Sequence, residues 1–356
     1  MEPVSCLESV VVLAAGQGKR MRSDLPKVLH PVCGVPMLLH VLSAASEVGA
    51  KRTVVVLGHG HELVRPLLSA GVEVALQAQQ LGSGHALLSG SDVIPEGSML
   101  VLPGDTPLVT GAALKGLARA HADSGASATV LTMILEDPTG YGRVVRHQDG
   151  SVLRIVEHRD ASPEELAICE VNTGMYVLPA PETLEILRRA GTDNDQGELY
   201  LTDVVEALRA AGARVGASVV ADPRLVLGVN SRVELADAER ILGERIKKGW
   251  MIAGVTIVDP ASTFIEATVS IEPDALILPF TSLRGATSVG TRSEVGPCST
   301  LIGAKVGSAC RLPHVFAEGV VVPDESVIRP FTWLAEGASD AQPGAIDDTL
   351  LGGDRT

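Results

Sequence analysis

An aliphatic residue recurs at every sixth position in the second half of the chain, and this repeat restricts the fold more than any other feature. A short fixed period is typical of solenoids, in which each repeat is one structural unit stacked on the next. The first series is unbroken and consists of Ile265, Ile271, Ile277, Leu283, Val289, Val295 and Leu301. After a slip of two residues, the pattern predicts the same inward phase at Val315, Val321, Val327 and Trp333.

Hexads of this kind resemble those of the left-handed parallel β-helix. There each hexad forms one short flat side, its aliphatic residue points inward, and three sides complete a triangular coil. About eleven hexads fit between residues 251 and 335, which predicts nearly four coils. We therefore expect residues 251–335 to form a short left-handed β-helix, and a purely structural core is the favoured interpretation of its aliphatic residues.

The first half of the chain has a different pattern, in which short aliphatic runs alternate with helix-length spacers. Runs rich in Val and Leu are typical of strands buried on both faces, and helix-length spacers are typical of parallel crossovers. The clearest runs are VVVLAA at 10–15, TVVVLG at 53–58, MLVLPGD at 99–105 and SATVLTMIL at 127–135. Residues 1–229 are therefore predicted to form an open α/β sheet.

A single helix is predicted to connect the two parts, over residues 230–250. Ser231 and Glu234 have the spacing of a capping box, apolar residues follow at helical spacing, and Gly249 is a candidate stop. The last segment, 336–356, is acidic and has little apolar surface, so it is predicted to be a mobile tail.

Composition excludes several classes of function. The formal net charge is -14 and no run of Lys and Arg could neutralise a nucleic-acid backbone. The five cysteines are scattered and lack metal-site spacing, which indicates reduced thiols. The sequence has no apolar run of membrane-spanning length and its first residues lack the features of a signal peptide. We expect a cytoplasmic protein that binds neither membrane nor nucleic acid.

A glycine-rich loop at residues 13–27 predicts a phosphate site. A buried strand leads into the turn Gly16-Gln17-Gly18, and the cations that follow are Lys19, Arg20, Arg22 and Lys27. Small residues let backbone N–H groups approach phosphate oxygens, and the cations offset their charge. The loop is not a P-loop and lacks the third glycine of dinucleotide-binding folds, which disfavours nicotinamide binding. Taken alone, GxG after a strand fits an ordinary tight turn equally well.

Several motifs together indicate a family. LAAGQGKRM at 13–21, followed by LPK at 25–27, resembles the signature of the sugar-phosphate nucleotidyltransferases. Among these, the bacterial N-acetylglucosamine-1-phosphate uridylyltransferases are the most similar, since seven further motifs follow in their order. They are QLGSGHA (80–86), GDTPL (104–108), DPTGYGR (137–143), IVEHRDA (155–161), EVNTG (170–174), QGELYLTD (196–203) and GVNSR (228–232). The resemblance implies a Rossmann-like domain with a mixed, mostly parallel sheet.

The same resemblance implies a role for each matching residue. Arg20 and Lys27 would hold the triphosphate of UTP and, with Asp105, serve catalysis. Asp105 and Asn230 would bind Mg2+, although Asp105 alone could be a turn cap and Asn230 a helix cap. The nucleotide would contact Leu13, Ala14, Ala15, Gly16, Lys27, Gln77, Gly82 and Ser83. N-acetylglucosamine 1-phosphate would contact Gly140, Glu157, Asn172 and Thr173.

The implied reaction is uridylyl transfer from UTP to N-acetylglucosamine 1-phosphate with release of pyrophosphate. Members of the family are bifunctional, and their longer β-helix also transfers an acetyl group from acetyl-CoA. After Arg311 no stretch resembles their acetyl-transfer segment, so we expect no acetyltransferase activity and a β-helix kept for homotrimer assembly or stability. The sequence also departs from the family at Lys19, Val35 and Pro103, and Pro103 could alter the fit of the sugar.

Two other functions remain open on the sequence. One is a different pyrophosphorylase of this fold, making UDP-, dTDP- or GDP-activated hexose. The other is a catalytically idle subunit that binds a nucleotide sugar. The presence of Lys27, Asp105 and Asn230 argues against an idle subunit, while DPTGYGR and EVNTG favour the N-acetyl sugar.

Overall fold

The computed structural model describes residues 7–192 and 194–335. The chain divides into two compact units. The first consists of Met1–Val32 with Pro36–Ala238, and the second of Cys33–Val35 with Glu239–Thr356. The predicted tail at 336–356 lies outside the described residues.

A mixed sheet organises the first unit, as predicted. Its central order is β11-β7-β10-β6-β1-β4-β5, and the hairpin of β8 and β9 joins it through β10. The strands that precede the connecting helix in the chain are β1 Ser9–Ala14, β2 Pro31–Val32, β3 Val35–Pro36, β4 Arg52–Leu57, β5 Val72–Leu76, β6 Ser98–Pro103, β7 Ala128–Ile134, β8 Arg143–Arg146, β9 Val152–Val156, β10 Glu170–Pro179 and β11 Val215–Val219. Strands β2 and β3 pair only with each other.

Most neighbours in this sheet are parallel. Strand β1 is parallel to both β4 and β6, β4 to β5, and β11 to β7. Strand β10 is inserted antiparallel between β6 and β7. The residues that follow β1 and β6 therefore emerge at one edge of the sheet, which is where open α/β sheets bind ligands.

Helices cover both faces of the sheet. Their apolar sides pack on the aliphatic runs of the strands, so that two separate clusters of buried residues form. The helices are α1 Met37–Ser46, α2 His61–Val64, α3 Ser83–Ser89, α4 Gly111–Ser124, α5 Pro163–Leu166, α6 Ala180–Arg189 and α7 Asp203–Ala210. Four short 3-10 helices lie at Lys19–Met21, Lys27–Leu29, Arg65–Leu67 and Pro223–Val226. Every central strand is thereby buried on both faces, which explains its unbroken Val and Leu sequence.

The predicted connecting helix is α8, Arg232–Ile252, and the division between the units falls inside it. Ser231 caps its start, since the Ser231 hydroxyl accepts from the Glu234 N–H at 3.3 Å. Gly249 was predicted to end the helix, but the helix continues past it to Ile252. A glycine costs only about 1 kcal/mol inside a helix, and the next residue, Trp250, packs on the core of the second unit. Gly254, at φ 96°, follows the true end.

The second unit is a parallel β-helix built from three ladders of short strands. The first ladder is β12 Thr256–Ile257, β15 Leu276–Ile277, β18 Glu294–Val295 and β21 Arg311–Leu312. The second is β13 Phe264–Ile265, β16 Ser282–Arg284, β19 Thr300–Ile302, β22 Phe316–Glu318 and β24 Trp333–Ala335. The third is β14 Ser270–Ile271, β17 Ser288–Val289, β20 Lys305–Val306 and β23 Val321–Val322.

The predicted inward phase is correct up to Leu301 and wrong for most of the residues after it. All seven residues of the first series are buried in one cluster. Val321, Val327 and Trp333 are instead exposed by 73%, 72% and 68%. Three sides contain five residues instead of six, because Val306 stacks on Val289, Ala317 on Leu301 and Val322 on Val306. The inward positions are therefore Val306, Leu312, Ala317 and Val322, and Val315 is buried beside them.

No helix in the described part of the chain is long and apolar enough to cross a membrane.

Candidate active site

A cavity of about 550 Å³ lies beside the loop that follows β1. The loop supplies one wall, and the segment between β5 and α3 supplies the other. Predicted nucleotide or phosphate residues that line it are Leu13, Ala15, Gly16, Arg20, Lys27, Gln77, Gly82 and Ser83, and the predicted metal ligand Asn230 lines it as well. Gln17, Gly18 and Lys19 of the predicted phosphate loop also line it, as do Gln80, Ala86 and Glu198, to which no role was assigned.

The shape of the loop depends on Gly18. Its φ of 64° lies in the left-handed region, and a Cβ there would come within 2.6 Å of Lys27 Cβ. A larger residue would therefore push the Lys27 stem away. Opposite, the Gln17 Nε2 donates to Gln80 Oε1 at 3.1 Å, which joins the two walls of the cavity.

The buried amide of Gln77 has a defined orientation. Its Nε2 donates to the Gly82 carbonyl at 3.1 Å, which only an N–H can do, and it lies 2.9 Å from His85 Nδ1. Both amide hydrogens are then used within the protein, and His85 Nδ1 is the acceptor. The Gln77 oxygen therefore remains as the atom with which this side chain can accept a hydrogen bond from a ligand.

A second, smaller cavity of about 270 Å³ adjoins the first. The two share Leu13, Gly16, Lys27 and Ser83. Predicted residues found only in the second are Ala14, Asp105, Glu157 and Asn172. Its wall also contains residues to which no role was assigned, namely Val28, Gly174, Tyr176, Leu201 and Thr202, together with Pro103, where an effect on sugar fit was anticipated.

Glu157 supplies a carboxylate to this second cavity. Its Oε1 accepts from the Thr202 hydroxyl at 3.3 Å. Burial raises the pKa of the Glu157 carboxyl, and the nearby charges of Asp160 and Asp203 raise it further, while the Thr202 hydrogen bond opposes both. A partly dehydrated carboxylate is a strong acceptor for hydroxyl or amide hydrogens of a ligand.

Lys27 joins the two predicted metal ligands. Its ammonium forms a short ion pair with Asp105 Oδ2 and donates to Asn230 Oδ1 at 3.1 Å. Asp105 follows β6, and Asn230 directly precedes the capping residue of α8. The Val229 N–H donates to the Asp105 carbonyl at 2.9 Å, which ties these distant segments together.

Asn230 does not cap α8 with its side chain. Ser231 performs that role, and the Asn230 N–H is held by the Glu234 carboxylate at 2.5 Å. The Asn230 amide oxygen therefore points to Lys27 and Asp105. A carboxylate and an amide oxygen that already share one cation form a donor set that suits a hard divalent cation such as Mg2+, with phosphate and water completing its shell.

Two predicted sugar residues do not line either cavity. Thr173 is buried, its hydroxyl donates to the Leu131 carbonyl at 2.7 Å, and it accepts from the Met175 N–H. Gly140 lies in the loop between β7 and β8. Their sugar-binding roles remain predictions. Among the described residues, no group of three or more His, Cys, Asp or Glu side chains could hold a metal.

Residues 10–147 match the model of the MobA-like NTP transferase domain. Together with the mixed sheet and the cavity beside its glycine loop, this match defines the protein as a nucleotidyltransferase. Three bacterial relatives extend the similarity to nearly the whole chain, and each is named "Bifunctional protein GlmU".

The relative from Caldanaerobacter subterraneus is 45% identical over 91% of this chain and 71% of its own length. The relative from Streptomyces avermitilis is 46% identical over 92% of this chain and 70% of its own length. The relative from Mycolicibacterium smegmatis is 44% identical over 96% of this chain and 73% of its own length. The chain belongs to the GlmU family.

Proposed function

We propose that this chain transfers the uridylyl group of UTP to N-acetylglucosamine 1-phosphate, with Mg2+ as cofactor. The observation that carries the proposal is the position of Lys27, which lines both cavities and contacts Asp105 and Asn230. Two phosphate-bearing substrates placed in these cavities would meet at this cation. Their combined negative charge needs such neutralisation before they can react.

In the proposed reaction, a phosphate oxygen of the sugar phosphate attacks the α-phosphorus of UTP and forms a new P–O bond. The bond from the α-phosphorus to the β-phosphate oxygen breaks, and pyrophosphate leaves with that electron pair. Lys27 and Arg20 neutralise the phosphates and hold them in line, so no protein nucleophile is required. Bound through Asp105 and Asn230, Mg2+ would supply electrostatic stabilisation of the developing charge.

The free oxygen of Gln77 supports uracil as the base. Uracil presents an N3–H donor, which pairs with this oxygen. Cytosine presents an unprotonated N3 acceptor at the same ring position and would leave two acceptors facing each other. A mismatch of this kind in a buried site costs on the order of 1 to 3 kcal/mol.

The decisive assay measures pyrophosphate release from UTP with Mg2+ in the presence of N-acetylglucosamine 1-phosphate, glucose 1-phosphate or glucosamine 1-phosphate. We expect clear preference for the first. Asp105→Asn should lower turnover by at least about a hundredfold with little change in thermal stability. Absence of release with every sugar would contradict the catalytic proposal, and preference for glucose 1-phosphate would contradict the substrate assignment.

We further propose that these 356 residues do not transfer acetyl groups. The support is that residues 251–335 contain no match to the family's histidine followed by Tyr-Leu-Gly-Asp. Release of coenzyme A from acetyl-CoA with glucosamine 1-phosphate would overturn this.

A homotrimer formed through the β-helix is also proposed, because the aromatic side chains of Phe280, Phe331 and Trp333 are exposed. Light scattering of the purified protein tests it, and a monomer would refute it.

A further inference from the structure

We propose that Tyr176 is a positioning residue, which fixes the amide of Asn172 in the orientation that binds the sugar. This inference rests on the proposed function for its choice of substrate. It assigns a role to a side chain that lies beyond the EVNTG motif.

The orientation of Asn172 follows from one backbone contact. The Gly174 N–H lies 3.0 Å from one amide atom of Asn172. A backbone N–H can only donate, so this atom is Oδ1. The other amide atom is then Nδ2, and it donates to the Tyr176 hydroxyl at 2.6 Å. The amide is thus held at both ends, and one Nδ2 hydrogen and one Oδ1 lone pair remain for a ligand.

A bulge in β10 makes this arrangement possible. The register of β10 against β7 shifts between Asn172 and Met175. Within the bulge Gly174 has φ 76°, a conformation that favours glycine. A Cβ on Gly174 would also come within 3.0 Å of Pro103 Cγ. The backbone that carries Asn172 is therefore constrained, and the remaining freedom is rotation of its amide, which Tyr176 prevents.

Tyr176 is suited to this task because it is packed in the core and its phenol resists ionisation. The residue is only 2% exposed and belongs to the apolar core of the first unit, and it also lines the second cavity beside Glu157. Burial raises the pKa of the phenol, and the Glu157 carboxylate raises it further. In the described part of the chain, Asn172 is the only hydrogen-bond partner of the Tyr176 hydroxyl.

Without the hydroxyl, the Asn172 amide would lose one of its two anchors. The net contribution of one such hydrogen bond is about 1 kcal/mol, which corresponds to a change of five- to tenfold in an equilibrium constant. The loss should be confined to binding of the sugar phosphate. The first cavity contains neither Tyr176 nor Asn172, so binding of the nucleotide should be unaffected.

The test is Tyr176→Phe, which removes one oxygen and keeps the ring in the core. We expect KM for N-acetylglucosamine 1-phosphate to rise five- to tenfold, while KM for UTP and kcat change less than twofold. Tyr200→Phe is the matched control. The Tyr200 hydroxyl also accepts from a side-chain amide, Gln196 Nε2 at 2.8 Å, but Tyr200 lines neither cavity. It should leave all three parameters unchanged.

A double-mutant cycle shows whether Tyr176 acts through Asn172. In an Asn172→Ala background, Tyr176→Phe should have no further effect on KM for the sugar phosphate. If Tyr176→Phe alone has the wild-type KM for the sugar phosphate, the inference is overturned. A full effect that persists in the Asn172→Ala background would overturn it as well, because Tyr176 would then act on the sugar itself.

A readout without substrate separates this inference from the proposed function. The side-chain amide resonances of Asn172, assigned by their loss in Asn172→Ala, should shift in Tyr176→Phe and stay in place in Tyr200→Phe. If no sugar phosphate reacts, the proposed function fails, while this measurement still decides the positioning role. Unchanged resonances in Tyr176→Phe would refute it.

Discussion

Lys27 Nζ lies 3.1 Å from Asn230 Oδ1, although the two residues are 203 positions apart in the chain. The same ammonium is paired with Asp105. The Lys27 ammonium therefore lies between the two oxygen donors at which a divalent cation is proposed to bind. Lys27 and the metal should compete for these oxygens until a phosphate draws the lysine away.

Lys27→Met should therefore have opposite effects on metal binding and on catalysis. Binding of Mn2+ to the nucleotide-free protein, measured by electron paramagnetic resonance, should tighten at least about tenfold because the competing charge is gone. Pyrophosphate release should fall by about a hundredfold or more. Lys115→Met removes another paired lysine, the partner of Glu47, and should change neither quantity. Unaltered Mn2+ affinity in Lys27→Met would refute the competition.

Glu157→Gln should raise the stability of the protein and weaken its binding of the sugar phosphate. The folded-state pKa of Glu157 is raised above its ordinary value of 4.5, so ionisation of this group opposes folding once the pH exceeds that value. Near neutral pH the glutamine variant should melt at a higher temperature than the wild type. The difference should shrink as the pH falls through 4.5, because the carboxyl then becomes protonated in the unfolded state as well as in the folded one.

The same variant should bind the sugar phosphate more weakly, because an amide replaces a charged acceptor. Scanning calorimetry near neutral pH and at about pH 4 checks the stability of the variant. Measurement of KM for the sugar phosphate checks the loss of binding. A melting temperature below that of the wild type near neutral pH would contradict the stability argument.

Adjacent valines in the β-helix provide a test of its register. Val322 is 4% exposed and Val321 is 73% exposed. Val322→Asp buries a carboxylate without a partner and should lower the free energy of unfolding by at least about 3 kcal/mol. Val321→Asp should change it by no more than about 0.5 kcal/mol, since Val321 lies at the surface beside Lys305 in the ladder. Chemical denaturation followed by circular dichroism compares the two, and equal losses would show that the phase is wrong.

Cys33 should resist alkylation. Burial and the neighbouring Glu239 carboxylate raise the pKa of its thiol to about 12, and the Cys33 N–H donates to Glu239 Oε2 at 2.6 Å. The thiolate is the reactive form, and almost none is present near neutral pH. Mass spectrometry after treatment of the native protein with iodoacetamide should find Cys169 and Cys298, which are exposed, modified well before Cys33. Equal rates would contradict the buried placement of Cys33.

The sequence predicts the architecture well where one residue property repeats. The hexads identify the inward face because the same aliphatic type recurs at a constant spacing, and the Val and Leu runs identify the central strands. The prediction fails at Val321 and Val327, because three sides of the β-helix between Leu301 and Val322 are one residue shorter than a hexad. Both Val321 and Val322 are valines, so only the ladder pairing with Lys305 and Val306 decides which one is buried.

The sequence predicts those residues of the candidate site that belong to recognisable motifs. It does not predict the residues whose roles depend on tertiary contacts. Lys27, Asp105 and Asn230 were predicted by resemblance, and the structure brings them together. Tyr176 lies outside the quoted motifs, and Thr202 lies inside QGELYLTD but was given no role, since a tyrosine in a strand and a threonine before a helix are common. Their roles depend on a bulge and on a contact with Glu157, neither of which leaves a local pattern in the sequence.

The four residues shared by the two cavities limit how such an enzyme could be re-engineered. A substitution at Leu13, Gly16, Lys27 or Ser83 reaches both substrates at once, so selection for a new base there will also alter affinity for the sugar. Gln77 and Asn172 each line one cavity only. Base and sugar preference should therefore evolve independently through these two side chains, while the shared loop stays constant.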